Sequence, residues 1–259
     1  MAAGDTITQS LADSLDTVVA SARQVREQEG VMPNLVDKVT LEEGTGTSWR
    51  EISMAQLTAQ AITETTRLDN PQQMSDTAFA ITPTVVGIQT LITDRVAARV
   101  NKKSYAQLGS LAQNSIQRKK DEDGLAVIDG ATTQLNTANA ALASGFIAAA
   151  VYQISSNTTE PGNPPFRAVF HGFSLKDIWD ELTAAVDTGS RADISGITAR
   201  VFTEGLRGKI AGCEIYEDGN LTIDSDGDAK GGVFAQEAIV LVQGRSPRTA
   251  TIRREDIGG

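Results

Sequence analysis

Apolar residues at the start of the chain recur at helical steps: Ile7, Leu11, Leu15, Val18, Ala22 and Val25 follow one another by four, four, three, four and three. That spacing lays one narrow stripe along a helix from Asp5 to about Gln28, with Asp5 or Thr6 as its cap and Gly30 as its stop. So narrow a stripe suits docking on another part of the chain or on a partner chain. Met32-Pro33-Asn34 breaks the pattern, and a different regime runs to Pro83. Val39 and Leu41 alternate with polar neighbours, Glu42 to Thr47 supplies turn chemistry, and Trp49, Ile52 and Met54 resume, which reads as a two-stranded ribbon. Leu57 to Asp76 is polar, rich in Thr and Gln and broken at Asn70-Pro71, before Phe79 and Ile81 alternate in a short strand. Roughly fifty residues with few bulky apolar groups exceed a plain connection in a compact domain. Such an extension takes its order from contacts elsewhere.

Thr82-Pro83 reads as a helix start, because proline at the first helical position loses nothing by lacking an N–H. Val85, Ile88, Ile92, Val96 and Val100 then predict the buried stripe of a first helix. A longer helix follows from about Ser104 to Asp129, with Tyr105, Leu108, Leu111, Ala112, Ile116, Leu125 and Ile128 on or near one face. Within it, Arg118-Lys119-Lys120-Asp121-Glu122-Asp123 reads as a solvated face with i,i+4 pairs Arg118/Glu122 and Lys119/Asp123, or else as a charge seam between subunits. Past the small-residue stretch after Gly130, a helix begins by about Leu142 and carries Phe146, Val151 and Ile154 until the loop from Asn157 to Pro165. A strand at Phe166 to Phe170 and an amphipathic helix from Ser174, with Leu175, Ile178, Trp179, Leu182 and Val186, come next. Strand-like pieces close the chain: Ile197–Phe202, Ile210–Tyr216, Leu221–Ile223, Gly232–Val242 and Thr249–Arg253. Helices precede strands, so the class is α+β rather than a βαβ series.

The composition, with 259 residues, 40% hydrophobic and 22% charged, permits a sizeable core, and its short apolar runs exclude an integral membrane protein. One cysteine, Cys213, makes no intramolecular disulfide, and Met1 to Thr6 has no basic or apolar leader pattern, so the chain reads as cytosolic or cytosol-assembled. A net charge of −10 argues against a protein whose main work is gripping nucleic acid, which needs clustered cations. With one histidine, His171, and one thiol, histidine-cluster metal sites and Cys/His catalysis lack their raw material. Gly44-Thr45-Gly46 follows no buried strand and opens no helix, and no Gly-Lys-Ser/Thr phosphate loop occurs. Asp224-Ser225-Asp226-Gly227-Asp228 starts like a calcium loop, yet has Ala229 where glycine belongs and Ala235 where a bidentate glutamate belongs, so it reads as a surface turn. His171 reads as a hydrogen-bonded structural residue and Cys213 as a small buried one. The expectation is no catalytic, cofactor-binding or metal residue, and not an enzyme.

The order of these parts resembles the tailed-bacteriophage major capsid protein of the Hong Kong 97 fold. The similarity rests on Met74-Ser-Asp-Thr-Ala-Phe-Ala-Ile-Thr-Pro83, like the strand leaving that family's extended E-loop, and on the 104–130 helix ending Asp121-Glu-Asp-Gly-Leu-Ala-Val-Ile-Asp-Gly130, like its spine helix. Also similar are the helix, loop, strand and helix of 142–187, the strand Gly208-Lys-Ile-Ala-Gly-Cys-Glu-Ile-Tyr216, and Gly232 to Val242 before a basic-tipped last strand. The resemblance implies an N-terminal arm at 1–35, an extended E-loop at 36–83, a peripheral domain with the spine helix at 84–137, an axial domain at 138–225 and return strands at 226–259. It further implies self-assembly into hexamers and pentamers of an icosahedral head around packaged double-stranded DNA, without sequence-specific binding and without a membrane. A portal, a separate scaffolding protein and a decoration protein are the other implied partners; the location is the virion, assembled in the host cytoplasm. Some members crosslink an E-loop lysine to a neighbour's asparagine; here Lys38 lies at the loop's base and the next lysine is Lys102, so cohesion is expected to be non-covalent. An encapsulin-like compartment shell is the nearest alternative, and a calcium-binding structural module on Asp224–Asp228 the next.

Overall fold

The computed structural model describes residues 30–42, 44, 46–59, 61, 62, 64, 72–92, 102–137, 140–187, 208–225, 227–248 and 250, with the backbone alone for 102–107 and 182–187. The elements in order are α1 (Met32–Leu35), β1 (Asp37–Thr40), β2 (Trp49–Met54), β3 (Asp76–Ile81), α2 (Lys102–Asp129), α3 (Ser144–Ser155), β4 (Phe166–Phe170), α4 (Gly172–Asp187), β5 (Lys209–Ile210), β6 (Cys213–Glu217), β7 (Gly232–Ala235) and β8 (Val240–Gln243). The helix expected at 5–28 and the strands expected at 197–202 and, apart from residue 250, at 249–253 fall outside the described residues.

The core is built on both faces of a four-stranded sheet in the order β5-β6-β4-β7. β4 pairs in parallel with β6 and antiparallel with β7, so it is central and shielded by neighbours on both sides. Because side chains alternate across a strand, Phe166, Ala168 and Phe170 share one face with Cys213, Ile215 and Ala235. That face packs on Ile147 and Val151 of α3 and Ile178 of α4. The opposite face presents Val169 and Phe234, which pack with Met32, Leu35, Val36, Leu125 and Leu221. A strand buried on both faces needs no polar alternation, which is why Phe166–Phe170 reads as a short apolar run.

Several sequence expectations change. No helix starts at Pro83: residues 82–91 are irregular, and Val85 is wholly exposed. The run Thr82-Pro83-Thr84-Val85-Val86-Gly87 concentrates β-branched residues and a glycine where a helix would begin; Val96 and Val100 of the expected stripe lie outside the described residues. The ribbon is real but differently paired. β2 joins β3, Ile52 opposite Ala78, whereas β1 runs parallel to β8, Val39 opposite Val242. The single strand expected at 210–216 is a hairpin, β5 antiparallel to β6, because Ala211 (φ 50°) and Gly212 (φ 82°) take the left-handed conformations of a two-residue turn. Gly232–Val242 is two strands separated by a 3₁₀ turn at Gln236–Ala238, and Leu221–Ile223 contributes only a bridge from Ile223 to Ala229. Residues 30–35, read as the end of an arm unable to bury itself, supply Met32 and Leu35 to the core.

Candidate assembly surface

β2 and β3 form a ribbon of two strands whose residues, apart from Trp49 and Ile81 at one end, are exposed on both faces. Residues directly opposite one another share a face. One face therefore carries Ile52, Met54, Ala78 and Ala80, and the other Trp49, Phe79 and Ile81. Ile52, Met54 and Phe79 are each about 60% exposed or more, as are Leu57 and Met74 beyond the strand ends. A lone two-stranded hairpin is marginally stable in water, and one this apolar needs cover. Among the described residues its ties to the rest of the chain include polar ones. The Gln56 side chain donates to the Thr159 carbonyl at 2.6 Å, linking the ribbon to the 157–165 loop. The Gln72 side chain bonds the Thr58 backbone on both sides. The apolar exposure continues into Val85, Val86 and Ile88.

α2, 28 residues and so about 42 Å long, joins the core near its C-terminal end, where Leu125 is buried and Ile128 packs beside it. Upstream, Leu108, Leu111, Ala112 and Ile116 are half-buried on one stripe. The expected pairs within the charged run form: Arg118 with Glu122 at 3.7 Å and Lys119 with Asp123 at 2.8 Å. Asp121 does not belong to that solvated face. It lies four residues before Leu125 on the buried stripe, with 0% of its surface exposed. Its Oδ1 accepts from the Met32 N–H and its Oδ2 from the Asn220 side chain, both at 2.9 Å. Burial, above all, pushes its carboxyl up to about 6 against these donors, and the neighbouring Asp218 carboxylate adds to the rise. Sequence reasoning missed this cluster, although the helical register that carries Leu125 and Ile128 also passes through Asp121.

The residues weighed for chemistry are each held by local contacts. His171 Nδ1 accepts from the Phe173 N–H at 3.2 Å, and its ring meets that of Phe173 edge-on at 4.9 Å. Cys213 is buried between strands, and desolvation pushes its thiol up to about 12. The Asp224 carboxylate accepts from the Asp228 N–H at 2.9 Å and the Asp224 N–H donates to the Asp228 carbonyl at 2.9 Å, closing a turn with Gly227 at φ 90°. That carboxylate serves the turn's own backbone. Of the Gly44-Thr45-Gly46 segment, both glycines are in left-handed conformations at the turn leading to β2. Among the described residues no helix is long and apolar enough to cross a membrane.

No family model matches the chain, and neither does any curated protein. Solved structures do. One from Mycobacterium phage Che8 superimposes with a TM-score of 0.67 at 19% identity, covering 88% of this chain and 82% of that one. The mature capsid of bacteriophage PhiM1 gives 0.63 at 13% identity, with 89% and 80% covered. The capsid of cyanophage P-SCSP1u gives 0.60 at 16% identity, with 91% and 81% covered. The α+β fold that the sequence resemblance implied is thus the fold found, one shared with phage capsid structures along most of the chain.

Proposed function

We propose that the chain is the major capsid protein of a tailed bacteriophage, a non-enzymatic shell subunit of the virion that assembles in the host cytoplasm into hexamers and pentamers around double-stranded DNA. One observation carries this reading: in a fold shared with phage capsid structures, the two-stranded ribbon exposes apolar groups on both faces, uncovered by the described residues. Such surfaces are buried where identical subunits meet, and closed symmetry turns one repeated contact into a shell. The partition into arm (1–35), E-loop (36–83), peripheral (84–137) and axial (138–225) domains and return strands (226–259) assigns the ribbon to the E-loop, although residues 30–36 act as core. Lys38 donates to Asn34 Oδ1 at 3.2 Å at the foot of this region, away from the ribbon, which supports non-covalent cohesion. The −10 net charge suits a wall that contains DNA without gripping it. A portal, a scaffolding protein and a decoration protein complete the proposed partners.

Electron microscopy of the expressed chain, alone or with a scaffolding protein, tests this. Rings or closed shells are expected, and a monomer under all conditions would refute the proposal. Particles that enclose protein and no nucleic acid when isolated from their native source would favour an encapsulin-like compartment instead. A chain deleted from Gly46 to Pro71 is expected to fold and fail to assemble; if it does not fold, the ribbon belongs to the core.

A further inference from the structure

We propose that Asp121 and Asp218 form a carboxylate clasp on the segment that enters the core at Gly30, and that the clasp tightens as the pH falls from 8 to 5. Both carboxylates are buried, 0% and 1% exposed, and they are the buried charged side chains among the described residues. Each holds one backbone N–H of the incoming segment: Asp218 Oδ2 accepts from Val31 at 3.2 Å and Asp121 Oδ1 from Met32 at 2.9 Å. Asn220 bridges the pair, its N–H on Asp218 Oδ1 and its side-chain amide on Asp121 Oδ2, both at 2.9 Å. The chain is laid directly on this pair, since a Cβ on Gly30 would stand 2.3 Å from Asp121 Cγ.

Two carboxylates in one buried site repel when both are ionised, and a proton on Asp121 removes the repulsion. Among the described residues, the groups that act on Asp121 are Asn220, the Met32 N–H and Asp218, and none of them is a cation. Along α2, Glu122 and Asp123 are taken by Arg118 and Lys119 on the solvent side. From the β6 side, the Tyr216 hydroxyl donates to Glu214, and the Glu217 carboxylate lies against Gly172. Residues 30–36 carry no titratable side chain, and Asp37 beyond them accepts from Gln236. With its carboxyl raised from 3.8 to about 6, Asp121 holds a proton more tightly in the closed clasp than when the segment lifts away. The closed form therefore gains as pH falls through 6, and the gain is complete below the ordinary value. Values of about 6 closed and 3.8 open correspond to a roughly tenfold shift in the opening equilibrium between pH 8 and pH 5. This clasp does not depend on the shell reading.

Hydrogen exchange of the Val31 and Met32 amides in the full-length, unassembled chain, corrected for the intrinsic rate at each pH, reads this directly. Protection about tenfold greater at pH 5 than at pH 8 is expected, and Asp121→Asn, neutral throughout, should be flat within about twofold. Equal wild-type protection at the two pH values, or a variant that keeps the tenfold dependence, overturns the proposal. Should Asp121→Asn fail to fold, a carbon-13 titration of wild-type aspartate carboxyls decides. A resonance with its midpoint near 6 supports the clasp, and the absence of any midpoint above 5 refutes it.

Discussion

The side-chain amide of Gln72 pairs with the backbone of Thr58 as a neighbouring strand would, Oε1 accepting from the Thr58 N–H at 2.8 Å and Nε2 donating to its carbonyl at 2.7 Å. The pair continues the ribbon beyond its last backbone rung, where the Ala55 N–H donates to the Ser75 carbonyl. One exposed glutamine thus holds in register a stretch whose apolar residues face away from the core.

Gln72→Ala should separate assembly from folding. Exposed hydrogen bonds contribute about 1 kcal/mol or less to a fold, and neither Thr58 nor Gln72 belongs to an apolar cluster. The melting temperature of the isolated subunit is expected to move by no more than about 2 °C. The yield of assembled particles, measured by sedimentation, should fall severalfold, and an unchanged yield would show that the loop's register is irrelevant to assembly.

Met32→Ala addresses the opposite case. Met32 is 1% exposed and packs with Leu35, Val36 and Leu125, and its Cβ would lie 3.0 Å from a Cβ placed on Gly124. Truncating so enclosed a side chain should cost about 2–5 kcal/mol in chemical denaturation. A loss below about 1 kcal/mol would return residues 30–36 to the status of a detachable arm.

How much of this was legible depended on what the residues had to satisfy locally. Phe166–Phe170 and the helix through Leu125 and Ile128 read correctly because their apolar spacing matched one period over enough residues. The partner of Val39 did not, since Val242 lies about two hundred positions away and a parallel pairing leaves no hairpin turn to announce it. Val85 and Ile88 kept helical spacing without a helix, because periodicity reports a face and says nothing of whether the same chain covers it. Asp121 escaped for a related reason: a carboxylate amid charged neighbours reads as solvated until Met32 and Asn220 arrive from distant segments.

The start of α3 offers a further test. Ala143 at its N-cap makes no side-chain cap, and the exposed first turn is served from α4. Glu181 accepts from the Ser144 N–H at 2.7 Å and from its hydroxyl at 3.0 Å, while Asp177 accepts from the Leu142 N–H at 3.2 Å. Carboxylates there satisfy orphan donors and complement the helix dipole. Glu181→Ala is expected to cost about 1 kcal/mol in denaturant melts, and Glu181→Gln, which keeps an acceptor, less. Equal losses would assign the effect to charge rather than to capping.

Cys213 provides a reporter of opening. Burial holds its thiol at about 12, so at pH 8 it is about four units below its midpoint and almost wholly protonated while the sheet is closed. Alkylation by iodoacetamide at pH 8 should therefore follow opening of the sheet, slow in buffer and rapid above the denaturation midpoint. Fast labelling of the native chain would show that the strands β5 and β6 part readily.

Val85→Asp tests whether the exposed apolar run after the ribbon is an interface. Val85 is 100% exposed, with Val86 and Ile88 nearly half exposed beside it. A carboxylate at this position has water on every side in the isolated subunit, so stability should stay within about 0.5 kcal/mol of wild type. If neighbouring subunits cover the run, the same carboxylate must be desolvated without a partner, which costs several kcal/mol at each repeated contact. Assembly is then expected to fail while thermal melting of the subunit is unchanged, and Val85→Ile, which keeps the surface apolar, should assemble normally. Shells formed by Val85→Asp with wild-type yield would place this run on an outer or inner face of the particle and leave the ribbon to carry the contact.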